Sequence, residues 1–292
     1  MAIRRTRKDI VFETANTLFL GLFSIACVYP MLYILFASFS EPSALMRHQG
    51  ILLRPLGFTL SGYRLTFENP SIMSGYANTL FYVTVGTTIN MVVTSLAAYS
   101  LSRKRVLFAK PVMLMIVFTM FFSGGIIPLY LLVRALGLLN TRLVLVIHSA
   151  VSAWNLIVMR TVFAAVPDSL EESAKIDGAN DFTVLFRIII PVCKAVVAVM
   201  VLFYGVSHWN SWFPAAIFIR DRALYPLQLI LREILILQEE AAILPAVPAE
   251  DMMYRLLIRY STVIIATAPI LFSYPFLQKY FVKGVMIGSI KG

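Results

Sequence analysis

Six long apolar stretches alternate with polar segments along the chain. A helix needs roughly 20 mainly apolar residues to cross about 30 Å of hydrocarbon, and each stretch is of that order. The third and fifth are the least regular, because Gly and Pro in Ser123–Pro128 interrupt one and His, Asn and Pro in His208–Pro214 interrupt the other. Such breaks are tolerated where neighbouring helices or a wet cavity satisfy the freed backbone groups. The predicted spans are Ala15–Phe39, Tyr76–Ser100, Pro111–Val133, Leu143–Phe163, Ala195–Ile219 and Leu256–Tyr280.

The composition agrees with a chain that lies almost wholly in the membrane. Of the 292 residues, 59% are hydrophobic and only 14% charged, which excludes an ordinary soluble protein. The fold class predicted is therefore all-α, a polytopic membrane protein with one transmembrane domain over residues 1–292. The basic amino terminus precedes an apolar run that is too long for a secretory signal, so we expect a retained first span.

The charges predict an orientation. With six spans and a cytoplasmic amino terminus, the inner segments hold fifteen basic and seven acidic residues, and the outer ones hold ten arginines and eight acids. The inner net charge is then +8 and the outer +2, and every lysine falls inside, as the positive-inside rule requires. Both termini are predicted to be cytoplasmic. Nucleic acid is not needed to explain the formal net charge of +10.

The inner segment Pro167–Lys194 is long for so apolar a chain. Asp168 and Ser169 are typical helix-capping residues, and two glutamates follow in the first turn, where the helix dipole favours acids. Gly178 is suited to ending or bending this helix. A second helical stretch, Phe182–Ile190, runs into a proline. The segment is therefore predicted to form two short helices joined by a turn on the cytoplasmic surface.

This segment also carries a family resemblance. The segment resembles a pattern of bacterial ABC importer permeases, which is Glu-Ala-Ala, three residues, Gly, nine residues and Ile-x-Leu-Pro. The matching residues are Glu172-Ser173-Ala174, Gly178 and Ile188 to Pro191. Ser173 and Ile190 are mild departures from that pattern. Neighbouring residues resemble the carbohydrate branch, which contains the maltose permease subunits. Phe121–Pro128 is similar to a subgroup that takes complex or acidic oligosaccharides and includes the alginate importer.

The resemblance implies a type I importer permease fold, with a core of about 76–280, that translocates an oligosaccharide across the bacterial inner membrane. It implies four kinds of partner: a second, non-identical permease subunit, two ATP-binding subunits, an extracytoplasmic solute-binding protein and membrane lipid. The chain has no Gly-x-x-x-x-Gly-Lys-[Ser/Thr] motif, so we expect no enzyme activity, metal or cofactor of its own, and ATP and Mg bound by the partner. The residues implied to couple the permease to the ATPase are Glu171, Glu172, Ser173, Ala174, Asp177, Gly178 and Pro191.

Three further sites are expected. Polar and aromatic groups at membrane depth usually face the bundle interior or a water path, although hydrogen bonding between helices explains them equally well. These candidate translocation residues are Asn155, Trp209 and Asn210. A long outer segment has the same position in the chain as the loop that enters the binding protein in the maltose relatives. A passive loop is the alternative. The residues predicted to contact the binding protein are Glu239, Glu240, Leu244 and Pro245. The carboxyl-terminal tail, either frayed or in contact with the ATPase, contributes Gly288, Ser289, Lys291 and Gly292.

Two other functions remain as alternatives. An ion-driven secondary transporter should carry an intramembrane acid, and none lies well inside a predicted span. A metal-dependent lipid-modifying enzyme could use Asp177 and Asp181, but no histidine motif or further acid cluster accompanies them. The ten outer arginines favour an acidic substrate such as a uronate oligosaccharide, because guanidinium binds carboxylates in a bidentate manner. The small outer net charge keeps a neutral oligosaccharide open.

Overall fold

The described structure is helical, as predicted. It is a computed structural model that describes residues 7–243, 253, 255–272 and 275. Within them, the one β feature is an isolated antiparallel bridge between Ser40 and Phe58. The helices are α1 Arg7–Ser38, α2 Pro42–Arg47, α3 Ser61–Glu68, α4 Pro70–Ser102, α5 Ala109–Phe121, α6 Ile126–Ala135, α7 Arg142–Ile147, α8 Ala153–Ala164, α9 Asp168–Ile176, α10 Asp181–Val184, α11 Ile190–Val192, α12 Lys194–Trp209, α13 Trp212–Phe218, α14 Leu227–Ile243 and α15 Arg255–Phe272.

Contacts between Cα atoms divide the chain into two compact units, and the single domain of the sequence analysis stays a prediction. The first unit comprises the described residues up to Asn69 and those of Ile234–Thr267. Its small core is formed by Ala37, Leu45 and Leu52, where the end of α1 meets the segment that follows it. Helix α3 packs on α15, because the Thr66 and Ser261 hydroxyl oxygens lie 2.6 Å apart.

The second unit comprises Pro70–Glu233 and the described residues from Ala268 onward. Its central element is α4, which packs most extensively on α8 and α12. The buried face of α4 is largely polar and includes Asn78, Thr79, Asn90, Thr94 and Ser95. Buried polar groups cost free energy unless they are hydrogen-bonded, so this face specifies its neighbours through directional contacts as well as apolar area.

Three single helices in the described part of the chain are long and apolar enough to span a membrane, namely α1, α4 and α15. The third predicted span is two helices, α5 and α6, that meet at 118°. Gly125 lies at this break with a φ of +81°, a backbone conformation that glycine adopts readily. Helix α12 ends at Trp209 and α13 begins at Trp212, so the predicted irregularity of the fifth span is also confirmed.

Pro128 and Pro214, which fall at the two predicted breaks, lie in the first turns of α6 and α13, where a missing N–H costs little. One detail of the predicted spans was wrong. The fourth span, predicted as one helix over Leu143–Phe163, is broken between α7 and α8 at residues 148–152. Neighbouring helices satisfy the backbone groups freed by this break. The Asn90 amide donates to the Ser149 carbonyl at 2.6 Å, and the Ser152 N–H donates to the Tyr204 hydroxyl at 3.1 Å.

Candidate functional site

The segment between α8 and α12 folds as two short helices joined by a tight turn. Helix α9 ends in a Schellman motif, in which the Gly178 N–H donates to the Lys175 carbonyl at 3.0 Å and the Ala179 N–H donates to the Ala174 carbonyl at 2.9 Å. Gly178 has a φ of +83°, and an added Cβ would meet no atom within 4 Å. Its glycine is therefore required by backbone conformation rather than by space, and the predicted end of the helix is confirmed.

The start of α9 differs from the prediction. Pro167 occupies the N-cap position, and no side chain caps the helix. Asp168, predicted as a capping residue, instead places its carboxylate 3.2 Å from the Lys104 ammonium, which belongs to the segment after α4. The second helix is capped by a side chain, because the Asn180 side-chain oxygen accepts the Thr183 N–H at 2.8 Å.

Glu171 and Glu172 are adjacent in sequence but differ in burial. The Glu171 side chain is only 10% exposed, and its two oxygens lie 3.0 Å from the Arg103 guanidinium and 2.7 Å from the Lys175 ammonium. The Arg105 guanidinium is a third cation at 3.2 Å. The Glu171 carboxylate is thus engaged inside the chain, and its contact with the ATPase stays a prediction.

Asp181 extends the same ion network. Its carboxylate pairs with Arg105 and lies 3.4 Å from the Lys175 ammonium. The hydrogen bond from the Arg105 guanidinium lowers the pKa of the Asp181 carboxyl. A carboxylate already paired with two cations is a poor metal ligand, and the described residues hold no cluster of three His, Cys, Asp or Glu side chains that could bind one. This arrangement gives no support to a metal-dependent lipid enzyme built on Asp177 and Asp181.

The outward face of the two helices combines one free acid with large apolar side chains. In the part of the chain that the structure describes, no cation lies within ion-pair distance of the exposed Glu172 carboxylate. Ile176 is 88% exposed, and Leu170 and Phe182 are also exposed. Ser173 and Asp177 are exposed as well, whereas Ala174 is buried. We call Leu170, Glu172, Ser173, Ile176, Asp177 and Phe182 the docking face.

Comparison with known proteins gives one consistent result. No protein-family model matches the chain. The polygalacturonan/rhamnogalacturonan transport system permease protein YtcP of Bacillus subtilis is 37% identical over 98% of the chain and 100% of the relative. Protein LplC of the same organism is 39% identical over 99% of the chain and 98% of the relative. The chain belongs to the permeases of sugar ABC transporters.

A solved structure supports the same fold. It is the crystal structure of a bacterial ABC transporter involved in the import of the acidic polysaccharide alginate. Its matching chain has a TM-score of 0.87 and 31% identity, over 95% of this permease and 99% of that chain. The predicted family and all-α membrane fold are therefore confirmed.

The candidate translocation residues of the permease have different environments. Asn155 and Trp209 are buried, and Asn210 is exposed at the break between α12 and α13. Trp209 packs edge-on against Tyr76, with ring centroids 5.9 Å apart, and lines an apolar cleft of about 240 Å³ with Val83 and Ile270. The adjacent His208 forms a hydrogen bond between helices, the alternative role expected for polar groups at this depth. Its Nε2 atom lies 2.6 Å from the Asn90 side-chain oxygen.

The remaining predicted sites are only partly described. Pro191 lies inside the second helix rather than at its end, because α11 continues to Val192 after a π-helical turn, Leu185–Ile189. This wider turn occurs where proline cannot donate the usual hydrogen bond. Glu239 and Glu240 belong to α14. Leu244, Pro245 and the tail residues Gly288, Ser289, Lys291 and Gly292 lie outside the described residues.

Sequence reasoning missed the basic residues that hold α9. Arg103 and Arg105 were counted only toward the inner positive charge, although Arg103 is 7% exposed. A charged residue is almost never fully buried unless it is paired. The available signal was therefore weak: two arginines at the end of an apolar span, and an excess of acids in the loop that the predicted topology places on the same side.

Proposed function

We propose that this permease carries an acidic oligosaccharide across the bacterial cytoplasmic membrane and that separate ATP-binding subunits drive it. The proposed complex contains a second, non-identical permease subunit, two ATP-binding subunits with bound ATP and Mg, and an extracytoplasmic solute-binding protein. The observation that carries this proposal is the docking face, in which an acid without an internal cation is surrounded by exposed apolar side chains.

The composition of the docking face favours a protein partner over water. Exposed large apolar groups at this density are unusual for a solvated helix pair, and a partner surface would remove them from water. The Glu172 carboxylate would then pair with a basic residue of the ATP-binding subunit, and truncating one member of such a pair usually weakens a complex. The rigid turn at Gly178 would pass the motion of that subunit into the flanking helices α8 and α12 as a rigid-body displacement.

The substrate class is supported by three sources. The similar YtcP protein is named for polygalacturonan and rhamnogalacturonan, and the similar solved transporter imports alginate. In the proposed orientation, ten outer arginines are present without a lysine, and guanidinium groups suit planar carboxylates.

The proposed path uses Asn155, Trp209 and Asn210, while the 239–245 segment meets the binding protein and the tail from Gly288 meets the ATPase.

The first test is uptake by the purified complex in vesicles. With ATP inside, we expect accumulation of a short oligogalacturonate or oligomannuronate, and about tenfold less of a neutral maltotriose, a difference worth roughly 1.4 kcal/mol. A non-hydrolysable ATP analogue is the control. Uptake of the neutral sugar at an equal rate would contradict the acidic substrate class, and uptake without ATP would contradict the ABC mechanism. Alanine at Asn210 or Trp209 should lower uptake in the same assay without loss of subunits.

A second test addresses orientation. Both termini and the α9 segment are proposed to be cytoplasmic, so a cysteine replacing Lys104 should be protected from a membrane-impermeant thiol reagent added outside cells. A cysteine replacing Arg54 should react, because the proposed topology places it outside. The Lys104 and Arg54 side chains are both exposed, so the two positions differ only in the side of the membrane on which they lie. The exposed native Cys27 is first replaced by serine. Reaction at position 104 from outside would refute the proposed topology.

A further inference from the structure

One guanidinium joins three elements of the second unit. The Arg103 Nη1 atom lies 3.0 Å from a Glu171 carboxylate oxygen of α9, and Nη2 donates to the Phe163 carbonyl of α8 at 3.0 Å. The same guanidinium lies 4.9 Å from the ring centroid of Tyr99 in α4. Arginine is suited to such a position, because its planar group offers several donors in a fixed geometry and stacks on aromatic rings.

The Arg103–Glu171 pair is shielded from solvent. The Arg103 and Glu171 side chains are 7% and 10% exposed. A hydrogen bond from Arg160 Nε of α8 to the Leu101 carbonyl of α4, at 3.1 Å, further joins the end of α4 to α8. A buried charge without its partner is strongly unfavourable, so the pair resists separation. By contrast, the neighbouring Lys104–Asp168 pair has side chains that are 92% and 61% exposed. Exposed ion pairs of this kind contribute little to the free energy of folding.

The location of this pair has a mechanical consequence. Helix α9 is joined closely along the chain to α8 on one side and to α12 on the other, while α4 lies far away in sequence. The Arg103–Glu171 pair is a buried connection between α9 and the end of α4, the helix on which both α8 and α12 pack. A displacement of α9 therefore reaches α4 directly.

We propose that Arg103 and Glu171 are positioning residues that make α4 move together with α9, so that a displacement of the docking face moves all three helices as one body. This inference rests on the proposed function, in which the ATP-binding subunit moves α9. It differs from docking itself, which belongs to the exposed Glu172, and the two roles separate in experiment.

The test is reconstituted transport by Glu171→Gln, which keeps the side-chain volume, and by Arg103→Met. We expect both variants to retain ATP-binding subunits at wild-type stoichiometry and to hydrolyse ATP, but to import about fivefold less substrate per ATP, the lower end of ordinary coupling between sites. Glu171→Asp, which keeps the charge, should recover part of the loss. The matched control is Lys104→Met, which removes a cation from the exposed pair between the same two segments and should leave the ratio unchanged.

A distance measurement separates transmission from simple folding effects. Spin labels on cysteines replacing the exposed Ser100 of α4 and Ser169 of α9 should give one narrow distance distribution in both resting and ATP-trapped complexes. Glu171→Gln should broaden that distribution in the trapped complex. A wild-type ratio and distribution in Glu171→Gln would overturn the proposal, and so would loss of the ATP-binding subunits, since the pair would then form the docking site. If Glu172→Ala left subunit association intact, the docking proposal would fail instead.

Discussion

Replacing Gly86 by alanine will lower the thermal stability of the permease. A Cβ atom at position 86 of α4 would lie 2.5, 2.6 and 2.8 Å from three atoms of the His208 ring. Real Cβ contacts are longer than 3.0 Å, so something must shift. The ring cannot move freely, because it is 3% exposed and hydrogen-bonded to Asn90, which in turn holds the Ser149 carbonyl at the break between α7 and α8.

The expected size follows from two opposing effects. Alanine favours a helix interior over glycine by roughly 0.5–1 kcal/mol, whereas overpacking a filled interior costs about 1–3 kcal/mol or more. Loss of the Asn90 contacts adds to the cost, because a buried polar group left without its partner is penalised. The net destabilisation is expected to be about 2 kcal/mol, a fall of roughly 3 °C in the melting temperature for a chain of this size.

Thermal unfolding of the purified complex, followed by intrinsic fluorescence, measures this change. Gly205→Ala is the matched control, because Gly205 lies on α12 and its added Cβ would meet only the Thr87 hydroxyl, at 3.8 Å. That variant should be as stable as the wild type or slightly more stable. Gly86→Ala should cost less stability in a His208→Ala background than in the wild type, since the clash is absent there. Equal melting temperatures for Gly86→Ala and Gly205→Ala would show that the ring does not fill this space.

Local sequence was sufficient where local backbone chemistry decides the structure. The break within Ser123–Pro128 and the turn at Gly178 were predicted from residues that break helices, and Gly125 and Gly178 both have a positive φ, which few other residues adopt without strain. The break at residues 148–152 was missed for the opposite reason. Nothing in that apolar stretch demands it, and its freed backbone groups are satisfied by Asn90 and Tyr204 from other helices.

The two adjacent glutamates illustrate the same limit at the candidate site. Successive residues of a helix point about 100° apart, so adjacent glutamates can have different environments. Which one faces inward depends on Arg103, a residue that tertiary packing alone brings to α9. The family pattern identified the segment, but only the fold separates the acid that holds the helix from the acid that is available to a partner.

We expect Glu172→Ala and Gly178→Val each to disconnect the permease from the proposed ATP-binding subunits. Truncating one member of a charge pair buried at an interface typically costs about 2–5 kcal/mol, so Glu172→Ala should reduce copurified ATP-binding subunit at least about tenfold at limiting concentration. Gly178 has a φ of +83°, where a non-glycine residue costs about 1–2 kcal/mol and a β-branched one more. Gly178→Val should therefore unwind the turn that presents the docking face.

Matched variants keep both effects interpretable. Gly178→Asn is the control for the turn, because asparagine tolerates positive φ and an added Cβ meets nothing within 4 Å. It should associate nearly as the wild type does. Glu68→Ala removes an exposed acid from the Arg64 pair in the first unit and controls for the loss of charge alone.

The double variant carries the strongest information. If Glu172 and Gly178 act on one docking event, the combined loss will be smaller than the sum of the separate losses, because an interface that is already disrupted cannot be lost twice. The measurements are copurified ATP-binding subunit and substrate-stimulated ATP hydrolysis in vesicles. Full additivity would place the two residues in separate steps. Wild-type association and hydrolysis in both single variants would show that the docking face does not bind the ATP-binding subunit. No other described surface of α9 and α10 combines an unpaired acid with exposed apolar side chains, so the proposal would then have no candidate surface on these helices.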